Sequence, residues 1–290
     1  MICLTSDIHH MSLNTGNQQH SDRSEINIAR EFAEMLEDYN VKASFFITGR
    51  SFEEEWPDLQ PICESNLLEI GGHTYDCFTP ELWHRIWNKL VGSYNGPRWY
   101  QDRDIQKTKD IIHQKCGINI SSWRNHMYMH GPYTDELLVK HGIRICCDGV
   151  QRRSNGPTIY QSGLENFPLN IIPDHEHLYH AERTPDWVNK WVKRYNWSDD
   201  YGSQSYYINE WVDIVLEELE YREKNDIVSH LLIHPITLYL CDGFKSLERI
   251  VQYIATKQST HVSDMVFPIA STNVKPTENV FLNRSYLSDA

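Results

Sequence analysis

The amino-acid sequence predicts one α/β barrel of parallel strands wrapped by helices. Short apolar runs alternate with helical patterns about seven times along the chain. No linker, repeat or low-complexity tract divides its 290 residues, a length that suits one large barrel. Unusual polar residues gather just after the apolar runs, where α/β proteins place their chemistry.

The elements follow in order. Met1–Thr5 reads as a buried strand and delivers Ser6-Asp7-Ile8-His9-His10. Residues 11–24 are polar and read as a loop long enough to cover a site. Ile26, Ile28, Ala29, Phe32, Ala33 and Leu36 have helical spacing, with Ser24 as N-cap. Val41–Thr48 is a second strand, Trp56–Ser65 a short helix with Pro57 near its start, and Leu67–Ile70 a third strand. Pro80 opens another helix after Thr79, with Leu82, Ile86 and Leu90 as one stripe. A helix over 102–116 stops at Gly117, and a strand over 118–123 delivers Arg124-Asn125-His126. A helix over 134–141 precedes a strand over 143–147 that delivers Asp148. Residues 154–162 form a turn-rich connector. Leu169–Ile172 reads as a strand ending in Asp174-His175-Glu176-His177. A Trp-rich stretch over 184–197, a helix over 205–223, a strand over 229–234 ending in His234 and a helix over 242–257 complete the alternation. Beyond Val262 the chain turns polar and Pro-punctuated, so a barrel over 1–267 and an irregular tail over 268–290 are expected.

Composition narrows the partners. The net charge of -13 argues against nucleic acid or an anionic membrane, which need a basic face. No apolar run reaches the roughly 20 residues of a membrane span. The seven cysteines lack a regular framework, several lie in apolar runs, and no secretory leader is visible. Reduced thiols and a cytoplasmic location are expected. Trp83, Trp87 and Trp99 read as core-filling rings rather than a sugar platform.

The stretch Glu69-Ile-Gly-Gly-His-Thr-Tyr-Asp-Cys77 concentrates the chemistry. His73 and Cys77 stand four apart, so one helical turn would put imidazole and thiolate, both good transition-metal ligands, on one face. The other reading is a buried His and a buried free Cys beside a turn. Five strand ends carry such residues: Asp7/His9/His10, His73/Cys77, Arg124/His126, Asp174 to His177, and His234. In a parallel barrel they share one rim. The histidines elsewhere, His230 among them, read as structural or solvated.

These motifs resemble the polysaccharide deacetylase (NodB-homology) family. Thr5-Ser6-Asp7-Ile8-His9 resembles its first motif, and His73-Thr74-Tyr75-Asp76-Cys77 its His-Ser/Thr-x-x-His motif. Trp123-Arg124-Asn125-His126 resembles its relaxed Arg motif, and Leu231-Leu-Ile-His234-Pro235 its Leu-x-Ile/Leu-His motif. Asp148 matches its strand-end Asp, and Val41-Lys-Ala-Ser-Phe-Phe-Ile-Thr-Gly49 its second strand. The resemblance implies a deformed (β/α)7 barrel and metal-dependent removal of an acetyl group from an N-acetylated sugar or polysaccharide precursor. It makes Asp7 the base, Arg124 its orienter, His234 the acid and Asp148 an orienter of Arg124 or His234. The metal, zinc foremost, falls to His9, His73 and Cys77, with His10 in place of His9 as the alternative. The backbone N–H near Tyr75 would serve the oxyanion, with Thr74, His126, Asp174 and His175 on the substrate side. Asp174, His175, Glu176 and His177 are also candidates for replacement ligands, His177 reading first as part of a polar surface loop. His9 and Cys77 depart from the family's Asp and His ligands. That departure leaves open a metal-independent hydrolase of amide or cyclic-imide C–N bonds, as in the allantoinase-like branch, or a non-catalytic glycan binder.

Overall fold

The computed structural model describes residues 1–265. The expected tail over 268–290, with the last two residues of the expected barrel, lies outside the described residues. Eight strands form one curled sheet in the order β6-β7-β5-β4-β3-β2-β1-β8. At its centre β1 (Ile2–Ile8), β2 (Ala43–Ile47), β3 (Leu68–Gly72) and β8 (Ser229–Ile233) pair in parallel. All seven residues of β1 are buried, since both faces of a parallel sheet are covered. β4 (Ser122–Trp123) and β5 (Ile145–Cys146) continue it in parallel. The hairpin of β6 (Thr158–Ile159) and β7 (Glu165–Asn166) lies in the stretch read as a connector and its flank.

Leu169–Ile172 is not a laddered strand. Leu169 makes a single bridge to Val150, and the Asn170 and Ile171 amides both reach the His230 carbonyl at 3.3 Å. This segment therefore stands where a seventh stave belongs, between β5 and β8. Short pairing here reflects Pro168 and Pro173, which supply no amide donors on either side.

The helices are α1 (Gly16–Gln19), α2 (Glu25–Asp38), α3 (Gly49–Glu54), α4 (Trp56–Glu64), α5 (Glu81–Val91), α6 (Arg98–Cys116) and α7 (Thr134–Lys140). Then come α8 (Asp174–His177), α9 (Pro185–Tyr195), α10 (Ile208–Lys224), α11 (Pro235–Asp242) and α12 (Lys245–Ala255). Ser24 caps α2 as expected, accepting from the Asn27 amide. Gly117, at φ 71°, ends α6 in the left-handed conformation. The stripe on α5 departs from expectation: Leu82, Ile86 and Leu90 are 67 %, 48 % and 67 % exposed. The helix instead turns His84 inward, where Nδ1 donates to the Tyr94 carbonyl at 2.7 Å. Trp99 is likewise exposed rather than core, and it lines a surface groove with Trp83 and Tyr75.

Gly71 and Gly72 end β3 rather than forming the turn. A methyl group on Gly72 would collide with the ring of buried Trp123, whose main chain pairs with it. Gly72→Ala is expected to destabilise the fold by about 1–3 kcal/mol through overpacking, read as a lowered chemical-denaturation midpoint.

Candidate active site

The strand C-termini open on one rim, and each delivers one group. Asp7 sits in the last turn of β1 pleating, buried, with Oδ1 accepting from Arg124 Nη1 at 2.8 Å. Its Oδ2 is 3.9 Å from both His73 Nε2 and His234 Nε2. Burial alone would raise its pKa. The Arg124 charge, helped by His73 and His234, overrides this and holds Asp7 at about 2.

Arg124, fully buried, is fixed by every arm. Nε donates to the Cys147 carbonyl at 2.9 Å, and Nη2 to Thr5 Oγ1 at 3.0 Å and His230 Nε2 at 2.9 Å. The His230 Nδ1–H goes to the Pro168 carbonyl at 3.2 Å, so Nε2 is left as an acceptor. His230 is thus a structural histidine, but one that grips the catalytic candidate's partner.

His234 follows β8. Its Nδ1 donates to Asp174 Oδ1 at 2.7 Å and its amide to Oδ2 at 2.6 Å. Burial lowers its pKa, but the Asp174 carboxylate outweighs that and raises it to about 9. Asp174, read as a substrate or ligand group, is therefore spent on holding His234. Its neighbour His175 lines the cavity, its ring 5.4 Å from that of His234.

His9, His73, Cys77 and His126 converge: one ligand atom from each lies within 4.8 Å of the others. His73 and Cys77 do not share a helical turn. Thr74, Cys77 and Phe78 all have positive φ, and this looped path folds Cys77 back toward His73. Two of the rings are aimed from behind. His9 Nδ1 donates to buried Glu25 at 2.8 Å, and His73 Nδ1 to the Arg124 carbonyl at 2.9 Å. That leaves each Nε2 lone pair for the cluster. Burial pushes the pKa of His73 down to about 4 and that of His126 well below the ordinary imidazole value, so both rings are neutral at pH 7. Burial, with Glu25 next, raises the Cys77 thiol, so a cation would have to displace its proton. The donor set of imidazoles and one thiol fits a zinc-type ion.

Three expectations are corrected. His10 turns away from the cluster, its amide and Nδ1 both on Thr48 Oγ1, at 3.2 and 3.1 Å. Asp148 bonds neither Arg124 nor His234; it holds Asn125 through its amide (2.9 Å) and side chain (2.6 Å), and His130 at 2.9 Å. The Tyr75 amide is already taken by Asp104, at 3.1 and 3.2 Å, so it has no free donor for an oxyanion. Thr74 Oγ1 accepts from the Cys77 amide at 3.3 Å and so shapes the loop. Glu25 was not legible as a site residue: a Glu in the first turn of a helix normally signals only the helix dipole. Glu25→Gln is expected to weaken cation binding 10- to 100-fold, measured by competition with a chromophoric chelator.

The groups face a cavity of about 320 Å³ lined by Asp7, His9, His126, His175, Glu176 and His234, with Trp187 and Trp191 at its wall. Residues 22–145 match the polysaccharide deacetylase family profile. A candidate polysaccharide deacetylase from Mycobacterium smegmatis superposes at TM-score 0.64 with 13% identity, covering 90% of this chain and 86% of that one. The chain shares the fold of this protein, and its profile match spans residues 22–145. A candidate polysaccharide deacetylase from Pseudomonas aeruginosa PAO1 superposes at 0.59, with 11% identity over 91% and 89% of the two chains. The Puue allantoinase shares the fold at 0.60, with 11% identity over 91% and 88%. No curated protein matches this chain by sequence. No helix among the described residues is long and apolar enough to cross a membrane.

Proposed function

We propose that the protein is a hydrolase that removes an acetyl group from an N-acetylated sugar or polysaccharide precursor. The observation that carries this is the placing of Asp7 Oδ2 at 3.9 Å from the His234 imidazole, inside a cavity, with Arg124 on the other carboxylate oxygen. A base and an acid then face one reacting carbon from two sides. The gap is too wide for a direct hydrogen bond, so both groups are free to act on a water and an acetyl group held in the adjoining cavity.

His9, His73 and Cys77 would hold a divalent cation, which when bound would acidify a water and polarise the acetyl carbonyl. Asp7, ionised at all working pH values, takes the water proton on Oδ2. Arg124 fixes the carboxylate and leaves only that oxygen free. His234, protonated below about pH 9, gives its Nε2 proton to the departing amine. Asp174 keeps the proton on that ring. Trp187 and Trp191, stacked at 5.9 Å along α9, offer an aromatic wall suited to a sugar ring.

Acetate release from N-acetylglucosamine oligomers by the purified protein, with its metal content, tests the reading. Acetate release that ends on chelation and returns with Zn(II) is the expected result. Acetyl-sugar turnover absent under all metal loadings overturns it. Hydrolysis of a cyclic amide that survives chelation would move the protein to the metal-independent C–N hydrolases, a reading that the replaced ligands His9 and Cys77 favour.

A further inference from the structure

We infer that His126 is a fourth protein ligand, so that the cation site is a closed His3Cys set rather than an open three-residue one. The inference rests on the reading that the cluster binds a cation, and it deepens that reading. His126 Nδ1 lies 3.4 Å from His73 Nε2. Two imidazole nitrogens on one tetrahedral zinc, each about 2.05 Å from the ion, would be about 3.3 Å apart. An N–H···N hydrogen bond would draw them closer, to about 3.0 Å. The His73 nitrogen in question carries no proton, because Nδ1 has donated its own to the Arg124 carbonyl. At 3.4 Å the pair meets a long N–H···N hydrogen bond to that bare nitrogen, and the same spacing is close to that of two nitrogens on one tetrahedral ion.

The surroundings hold His126 in this pose. Its ring stands edge-on to His9 at 5.1 Å, to His73 at 5.4 Å and to Phe78 at 5.5 Å. Asn125, just before it, is clamped by Asp148 through two hydrogen bonds, and its Oδ1 accepts from Trp123 Nε1 at 3.1 Å. Met127 and Tyr128 follow with φ of 55° each, bending the chain so that His126 faces inward. Asp148, which touches neither catalytic candidate, thereby gains a role as a positioning residue for His126.

Four protein donors leave a tetrahedral ion no vacant position at rest, so the water or substrate oxygen of the proposed reaction would enter as a fifth ligand or by displacing one of the four. His9 and His126 both border the cavity, but His9, like His73, is tied from behind by a hydrogen bond to its other ring nitrogen. His126 is a ligand on the side from which a substrate oxygen would enter.

X-ray absorption of the Zn(II)-loaded protein, and visible spectra of the Co(II)-loaded protein, read the ligand set without turnover. The expected first shell is three nitrogens and one sulfur, with an intense tetrahedral Co(II) spectrum. His126→Ala and the milder His126→Gln should each lose one nitrogen, gain a solvent oxygen and weaken Zn(II) about 100-fold or more. Thermal melts of the metal-free variants are the control for folding, with midpoints near that of the metal-free wild type expected. A wild-type shell with two nitrogens, one sulfur and an oxygen overturns the inference, as does Zn(II) affinity unchanged in both variants. Acetate release, measured on the same preparations, reports on the proposed activity separately: turnover with an open wild-type shell sinks only the role of His126. A closed shell without turnover sinks only the hydrolase.

Discussion

Asp7→Asn is expected to lower acetate release about 10²- to 10⁴-fold, the usual yield of one positioned general base. The same substitution leaves the Arg124 guanidinium fully buried without its counter-charge. Breaking such a pair costs about 3–5 kcal/mol, so a lower denaturation midpoint should accompany the lost turnover. The pH dependence of stability follows with a definite sign. Asp7 is held at about 2, below the ordinary 3.8, so its contribution is complete above about pH 4 and fades as pH falls through 2. The variant should lack that acid-side loss. Cation content should survive, since Asp7 is outside the His/Cys cluster. Wild-type turnover in Asp7→Asn would exclude it as the base.

Asp174→Asn should change turnover through His234. His234 is raised to about 9 because Asp174 outweighs the effect of burial. Remove the carboxylate charge and burial governs, so the ring loses its proton at lower pH. The alkaline limb of kcat is expected to fall by more than one pH unit, with turnover at pH 8 dropping about 10-fold or more. The stability linkage has the opposite sense to that of Asp7: the His234–Asp174 pair contributes fully below pH 6.5 and is lost as pH rises through 9. A pH–rate profile whose alkaline limb does not move would show that His234 is not the proton donor.

The rim was legible because each of its groups ends an apolar run. Ile2–Ile8, Leu68–Gly72 and Ser229–Ile233 are strands that point Asp7, His73 and His234 at a common mouth. What sequence could not give is which polar atom spends itself on which neighbour. The Tyr75 amide is lost to Asp104, 29 positions away, and Asp148 goes to Asn125 and His130. Glu25 and His230 lie inside a helix turn and a strand, where their residue types carry ordinary meanings. Only tertiary contact reveals that they aim His9 and Arg124. The outward stripe on α5 failed for a related reason: helical period locates a face, but the aromatic nest of Phe78 and Tyr94 drew in His84 instead.

The segment over 169–172 has a mechanical consequence. It meets β8 through a few backbone hydrogen bonds rather than a full ladder. Asp174 leaves one side of that join and His234 the other, and their two short bonds rivet it at the top. The proposed proton donor and its anchor therefore straddle a sparsely hydrogen-bonded seam of the wall. Any breathing of the wall at that line would unclasp the imidazole from its carboxylate, so the proton affinity of His234 is tied to whether the barrel is shut.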